Sequence, residues 1–211
     1  MSSGRDERGA ALLLTLAASA LITAIAASLV VTVSIETLIA GSFRAAQEAL
    51  YAADAGLERT LHDLAAAPDF TAALASPPSL LASFDDGASV AAAPDGRPLS
   101  MAGLTAERQS VSNGTYGPGA FGSDSPVWKL FGHAPLGAIL PPGVIAQPGY
   151  VLVWVGDDGL DGDGDPSKDA NGQILVYVEA YGVRGARRGI EAAVSRAGAG
   201  VVRLLSWKES R

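Results

Sequence analysis

Cysteine is absent from this chain of 211 residues. That excludes a disulfide framework, a thiolate metal site and a cysteine nucleophile, though it does not argue against export. Histidine is scarce: His62 and His133 stand alone in the sequence, so a histidine-based zinc site has no partners to draw on. Cationic residues are outnumbered, 15 Lys and Arg against 22 Asp and Glu, for a formal charge of -7. Strong nucleic-acid binding needs clustered Lys and Arg at phosphates, and the balance argues against it. No Ser-His-Asp set, phosphate loop or HExxH motif is present. Paired carboxylates occur only in one loop, where metal binding or hydration explains them better than acid–base work. An enzyme is not expected.

Another absence is local. From Gly9 to Ile35, 27 residues, there is no ionisable side chain, and neither Gly nor Pro interrupts Ala10 to Ala40. A bilayer core of ~30 Å needs about 20 helical residues, so this run is long enough to cross. A secretory signal has a shorter apolar region of ~7–15 residues followed by a small-residue cleavage site. No such site follows here, so the segment is expected to be retained as a helix. Beyond Glu36 the apolar positions Ile39, Phe43, Ala46, Leu50, Ala53, Leu57, Leu61 and Leu64 keep the spacing of one helical face. Pro68 supplies the stop. The spacing therefore predicts one helix over residues 10–67, apolar all round in 10–35 and amphipathic in 36–67. Gly41 and Gly56 weaken it, by up to about 1 kcal/mol each relative to Ala.

Residues 68–147 read as irregular. "ASPPSL", "APDGRPLS", "SNGTYGPGAFGSDSP" and "ILPPGVIAQPG" are rich in turn residues, and only short pieces such as Leu80-Leu81 and Val127 to Phe131 suggest brief helix or strand. Asn113-Gly114-Thr115 matches a glycosylation sequon and is set aside as chance. Residues 148–211 are clearer. Tyr150 to Val155 is apolar and β-branched. Gln173 to Tyr181 alternates with Ile174, Val176, Val178 and Ala180 on one face, and Arg188 to Val194 does so with Ile190, Ala192 and Val194. A Gly182–Gly185 turn joins those two, and Val201 to Trp207 suggests a further strand. The pattern is that of an antiparallel meander which the amphipathic half of the helix can cover, an α+β fold.

An acidic loop, residues 156–173, "GDDGLDGDGDPSKDANGQ", lies between two of these strands. Asp161, Asp163 and Asp165 alternate and Asp169 follows. Calcium takes six to eight oxygens at ~2.3–2.6 Å, and a loop with carboxylates at positions 1, 3, 5 and 9 supplies several of them. Asp157 and Asp158 are further candidate ligands, and Asn171 a neutral oxygen. Position 6 is Pro166 and position 12 is Gly172, so the loop is not an EF-hand. Three readings remain: a hydrated hairpin loop, a calcium site, or a magnesium or catalytic use.

A short charged leader ending in Gly9, an immediate apolar helix and then "AGSFRAAQEALYAADAGLERTLHDL", Ala40 to Leu64, resemble the N-terminal region of the PilX-type minor pilins of type IV pili. The Ala-rich run of that family corresponds here to Tyr51-Ala52-Ala53-Asp54-Ala55-Gly56-Leu57-Glu58. The likeness covers about the first 65 residues, with a weaker echo in "GARRGIEAAVSR", Gly185 to Arg196. Arg187 and Arg188 in that echo read more simply as a solvated strand end. The resemblance implies a pilin-like fold, with the helix laid on the sheet. It implies that residues 1–9 are a leader removed by a prepilin peptidase between Gly9 and Ala10, leaving Ala10 methylated. It implies a helix that waits in the inner membrane, with a periplasmic headgroup, and then packs among other minor pilins and the major pilin in a filament on the cell surface. A tip adhesin is a further implied partner. Arg5 and Arg8 agree with a cytoplasmic N-terminus. Most pilins carry Glu at mature position five; here it is Leu14, which buries no charge but offers no partner to a neighbour's amine. That departure resembles subunits placed at filament tips, including the K-type pseudopilin of type II secretion, the nearest alternative. A membrane-anchored periplasmic calcium-binding module is the third reading.

Overall fold

The computed structural model describes residues 3–75, 81–116, 121–144, 148–198 and 200–210, with side chains from Gly9 onward. Pro77 and Pro78, Leu80, the Gly117-Pro118-Gly119 stretch, Ile145 to Gln147 and the side chains of Arg5 and Arg8 lie outside the described residues. The chain divides into two compact units, Met1–Arg44 and Ala45–Arg211.

The first unit is helical. It belongs to α1, Ser3–Ala66, which also supplies the opening segment of the second unit. Residues 9–40 are all exposed, among them Leu13 at 70% and Leu14 at 71%. Its most apolar window has a mean hydropathy of 2.3, and among the described residues α1 is the one helix long and apolar enough to cross a membrane. Most of its hydroxyls are turned inward on the backbone. Ser19 donates to the Thr15 carbonyl and Thr23 to the Ser19 carbonyl, both at 2.8 Å, and Thr32, Ser34 and Thr37 likewise reach back one turn. Such back-bonding leaves the side chains without need of water.

In the second unit, α1 from Ala45 onward meets a five-stranded antiparallel sheet in the order β3-β4-β5-β6-β7. The strands are β3 (Lys129–Pro135), β4 (Tyr150–Asp157), β5 (Gln173–Tyr181), β6 (Arg187–Gly198) and β7 (Val201–Ser210). The meander read from the sequence is present, with the predicted turn at Val183–Gly185 and β3 added at its far edge. Ile174, Val176, Val178, Ala180, Ile190, Ala192 and Val194 all lie on one buried face, as their alternation predicts, together with Val151, Val153 and Val155.

The helical face against them is mostly small residues with two leucines. Ala45, Ala49, Ala52, Ala53, Gly56, Leu57, Thr60 and Leu64 are buried, so burial starts at Ala45 rather than at Glu36. Ile39 and Phe43, expected on the packing face, are 62% and 66% exposed and belong with the apolar first unit. Gly56 is not simply a weak point: a Cβ there would lie 2.6 Å from Val151 Cγ1 and 3.1 Å from Val178 Cγ1. Its missing side chain is what lets the helix backbone lie directly on β4 and β5. After Pro68, Asp69 accepts the Ala72 N–H at 2.7 Å and starts α2 (Phe70–Leu74), which adds buried Phe70 and Leu74 to the same core.

The sheet's other face is also covered. Tyr150, Leu152, Trp154, Tyr177 and Tyr181 pack with Ala93, Leu99, Met101 and Trp128. This second layer comes from residues 68–147, which hold more regular structure than their Gly and Pro content suggests: the hairpin β1 (Val90–Ala92) and β2 (Pro98–Ser100), α3 (Met101–Tyr116), β3 and the short α4 (Leu136–Ile139). Ser100 Oγ accepts the Gly103 N–H at 3.2 Å and caps α3. The buried face of α3 includes Arg108 and Ser112, so its helical period is hidden among polar residues.

Candidate functional site

Gly9 and Ala10, the positions expected to be processed, are exposed on α1, and nothing lies within 4 Å of where a Gly9 Cβ would be.

The acidic loop leaves β4 at Asp157 and enters β5 at Gln173. Its aspartates first organise its own backbone. Asp161, Asp163 and Asp165 accept the N–H of Asp163, Asp165 and Ser167 at 3.3, 2.7 and 3.1 Å. Gly162 and Gly164, at φ +70° and +80°, allow these successive tight turns. Asp161 also accepts the Ala170 N–H at 3.1 Å.

The candidate ligands then separate into different environments. Asp165 pairs with Lys168 at 2.7 Å, and the hydrogen bond from Lys168 holds its carboxyl below the usual range. Asp169 accepts the Gly172 and Gln173 N–H groups at 2.7 and 3.0 Å and so caps the start of β5; burial pushes its carboxyl up. Asp158, also raised by burial, takes the Asn171 Nδ2 donor at 2.9 Å, while Asn171 Oδ1 accepts the Gln173 N–H. Asn171 is therefore already committed within the loop. Asp161 and Asp163 do come together, and the third member of their group is Asp124, from the 3₁₀ turn Gly122–Asp124 before β3. One carboxylate oxygen from each lies within 4.8 Å of the others.

Asp124 is 9% exposed and its Oδ1 has no hydrogen-bond partner. That oxygen faces the loop: it stands 4.0 Å from where a Gly164 Cβ would be. Beside it, a Cβ at Gly159 would strike the Phe121 ring at 2.5 Å, so the 3₁₀ turn and the acidic loop are packed backbone to side chain. Asp157 is fully buried with neither oxygen in a good hydrogen bond. Burial, then the Asp161 charge, pushes its carboxyl up to about 7. Lys129 on β3 is the nearby cation; it donates to the Leu74 carbonyl and to Ser167 Oγ, and burial lowers its pKa.

Asp124 was not legible as a ligand because it is separated in sequence from the loop by the whole of β3 and β4. The same holds for a second cluster. His133, alone in the sequence, meets Asp85 through Nε2 at 3.2 Å and Asp86 through Nδ1 at 3.0 Å. The Tyr150 hydroxyl lies 2.8 Å from Nδ1 and donates to Asp86 Oδ2 at 2.8 Å, so both ring nitrogens already face acceptors. Burial raises the Tyr150 pKa. This cluster fastens the 85–86 segment to β3 and β4. Arg187 and Arg188 are likewise fastened, the first to Glu179 and Glu107, the second to Glu209, so they are a paired strand end rather than a merely solvated one.

Comparison with known proteins finds no match: no family model, no curated protein and no solved structure is significantly similar to this chain.

Proposed function

We propose that this chain is a minor pilin, a structural subunit that helps start a type IV pilus and sits at or near its tip. The observation that carries the reading is the pairing of two different halves of α1. Residues 9–35 carry no ionisable side chain and are exposed on every side, whereas residues from Ala45 are built into an α+β headgroup. A helix greasy on all faces is stable in lipid or among similar helices and nowhere else. In this reading it first anchors the chain in the inner membrane with the headgroup in the periplasm. It then leaves the bilayer to pack against the helices of the major pilin and other minor pilins, with a tip adhesin as a further partner. Prepilin peptidase frees Ala10 by cutting after Gly9. The work done is packing rather than catalysis.

Leu14 supports a place at the end of the filament, since a tip subunit has no neighbour ahead whose amine needs a carboxylate. The same residue favours the K-type pseudopilin of type II secretion as the second reading. Mass spectrometry of the native protein tests both against a plain anchored module. The pilin readings expect a methylated Ala10 at the N-terminus, and Gly9→Val should abolish processing and incorporation. Intact residues 1–9 on the native protein, or normal assembly of the Gly9→Val variant, refutes them.

A further inference from the structure

We infer that Asp124, Asp161 and Asp163 form a calcium site that staples the 3₁₀ turn at residues 122–124 to the β4–β5 loop. The inference stands apart from the filament reading, because it concerns the headgroup alone and its test reads metal uptake rather than assembly.

The geometry fits a single hard cation. Oxygens held at ~2.4 Å from one ion are at most about 4.8 Å apart, and one carboxylate oxygen from each of these residues lies within 4.8 Å of the other two. The donors are all oxygen, with no nitrogen or sulfur among them, which suits calcium rather than a transition metal. The ligands also come from separate segments, as a staple requires.

A second observation separates this group from an ordinary acidic loop. An acidic cluster on a surface is normally hydrated, but Asp124 is 9% exposed and its Oδ1, aimed at Gly164 of the loop, has no hydrogen-bond donor. A carboxylate oxygen removed from water and left without a donor is costly unless a cation meets it. A divalent ion at the group would meet that oxygen. Asp165 is excluded from the ligand set, despite its place in the alternating run, because Lys168 holds it.

Calorimetric titration of metal-free, detergent-solubilised full-length protein with calcium chloride tests this. Calcium should bind to the wild type at one ion per chain. Loss of even an outer partner of a metal typically costs about 10–100-fold in affinity, so Asp124→Asn and Asp163→Asn should each weaken binding at least about tenfold. Asp165→Asn removes only an exposed ion pair and should leave affinity within about twofold. Absence of calcium uptake by the wild type at millimolar concentration overturns the inference. So does an Asp124→Asn variant that binds as the wild type does. If Asp124→Asn fails to fold, the exposed Asp163 decides: wild-type affinity in Asp163→Asn overturns the site.

Discussion

Replacing Gly56 by Ala is the sharpest test of how α1 meets the sheet. On propensity alone the change should help, since Ala is favoured over Gly in a helix interior by about 1 kcal/mol. The packing opposes it. The new methyl would lie 2.6 Å from Val151 Cγ1 and 3.1 Å from Val178 Cγ1, well inside contact distance. Both valines are fully buried, and a β-branched side chain has little rotamer freedom with which to retreat. The helix must lift instead, opening the contacts of Ala52, Ala53 and Leu57 beside it. Overpacking of a tight core costs about 1–3 kcal/mol, and with no slack on the valine side the upper half applies. Subtracting the propensity gain leaves a net loss of about 1–2 kcal/mol, which for a unit of this size lowers the melting temperature by about 3–6 °C. Thermal unfolding of the detergent-solubilised chain, followed by circular dichroism, measures it. Val151→Ala in the same chain should recover part of the loss, because contacting residues couple by about 0.5–3 kcal/mol. If Gly56→Ala melts at or above the wild-type temperature, the close approach is not what fixes this residue.

Two further perturbations concern charge. Arg108 is buried, paired to Glu191 at 2.9 Å and stacked on Tyr177 and Trp128, so Arg108→Ala should destabilise the chain. Lys208 still reaches Glu191, so the loss is set near the lower end of the range for a broken buried pair, about 3 kcal/mol by denaturant titration. Asp157 gives a pH dependence in metal-free protein. Its carboxyl is raised from 3.8 to about 7 on folding, so the native state holds a proton that the unfolded chain has released between those values. The stability this contributes is full below the unfolded value and is lost as pH rises through about 7. Asp157→Asn should flatten that slope, with urea midpoints at mildly acidic and mildly alkaline pH as the measure.

The parts of the fold that could be read in advance are those where burial is one-sided and regular. Ile174 to Ala180 and Ile190 to Val194 alternate because one sheet face is packed against α1, and the stop at Pro68 follows from proline chemistry alone. The packing face of α1 was displaced from the reading because Ala and Gly carry little hydrophobic signal. The contact stripe keeps the expected Ala53, Leu57 and Leu64 but continues through Ala45, Ala49, Ala52 and Gly56, while Ile39 and Phe43 fall outside it. The second layer was hidden for the opposite reason: α3 buries the polar residues Arg108 and Ser112, the first made acceptable by an ion pair and by aromatic stacking that only the tertiary structure supplies. The acidic loop announced itself, but composition could not sort its aspartates. Asp165 is claimed by a lysine three residues on, Asp169 by backbone amides, and the missing member, Asp124, arrives from across two strands.

Thr15, Ser19, Thr23, Thr32, Ser34 and Thr37 settle their hydroxyls on carbonyls of their own helix, so these six side chains present spent donors to whatever surrounds them. In the filament reading proposed above, a change of surroundings from acyl chains to the flank of a sister rod would break no hydrogen bond at these six side chains, and shape and dispersion would govern contact there.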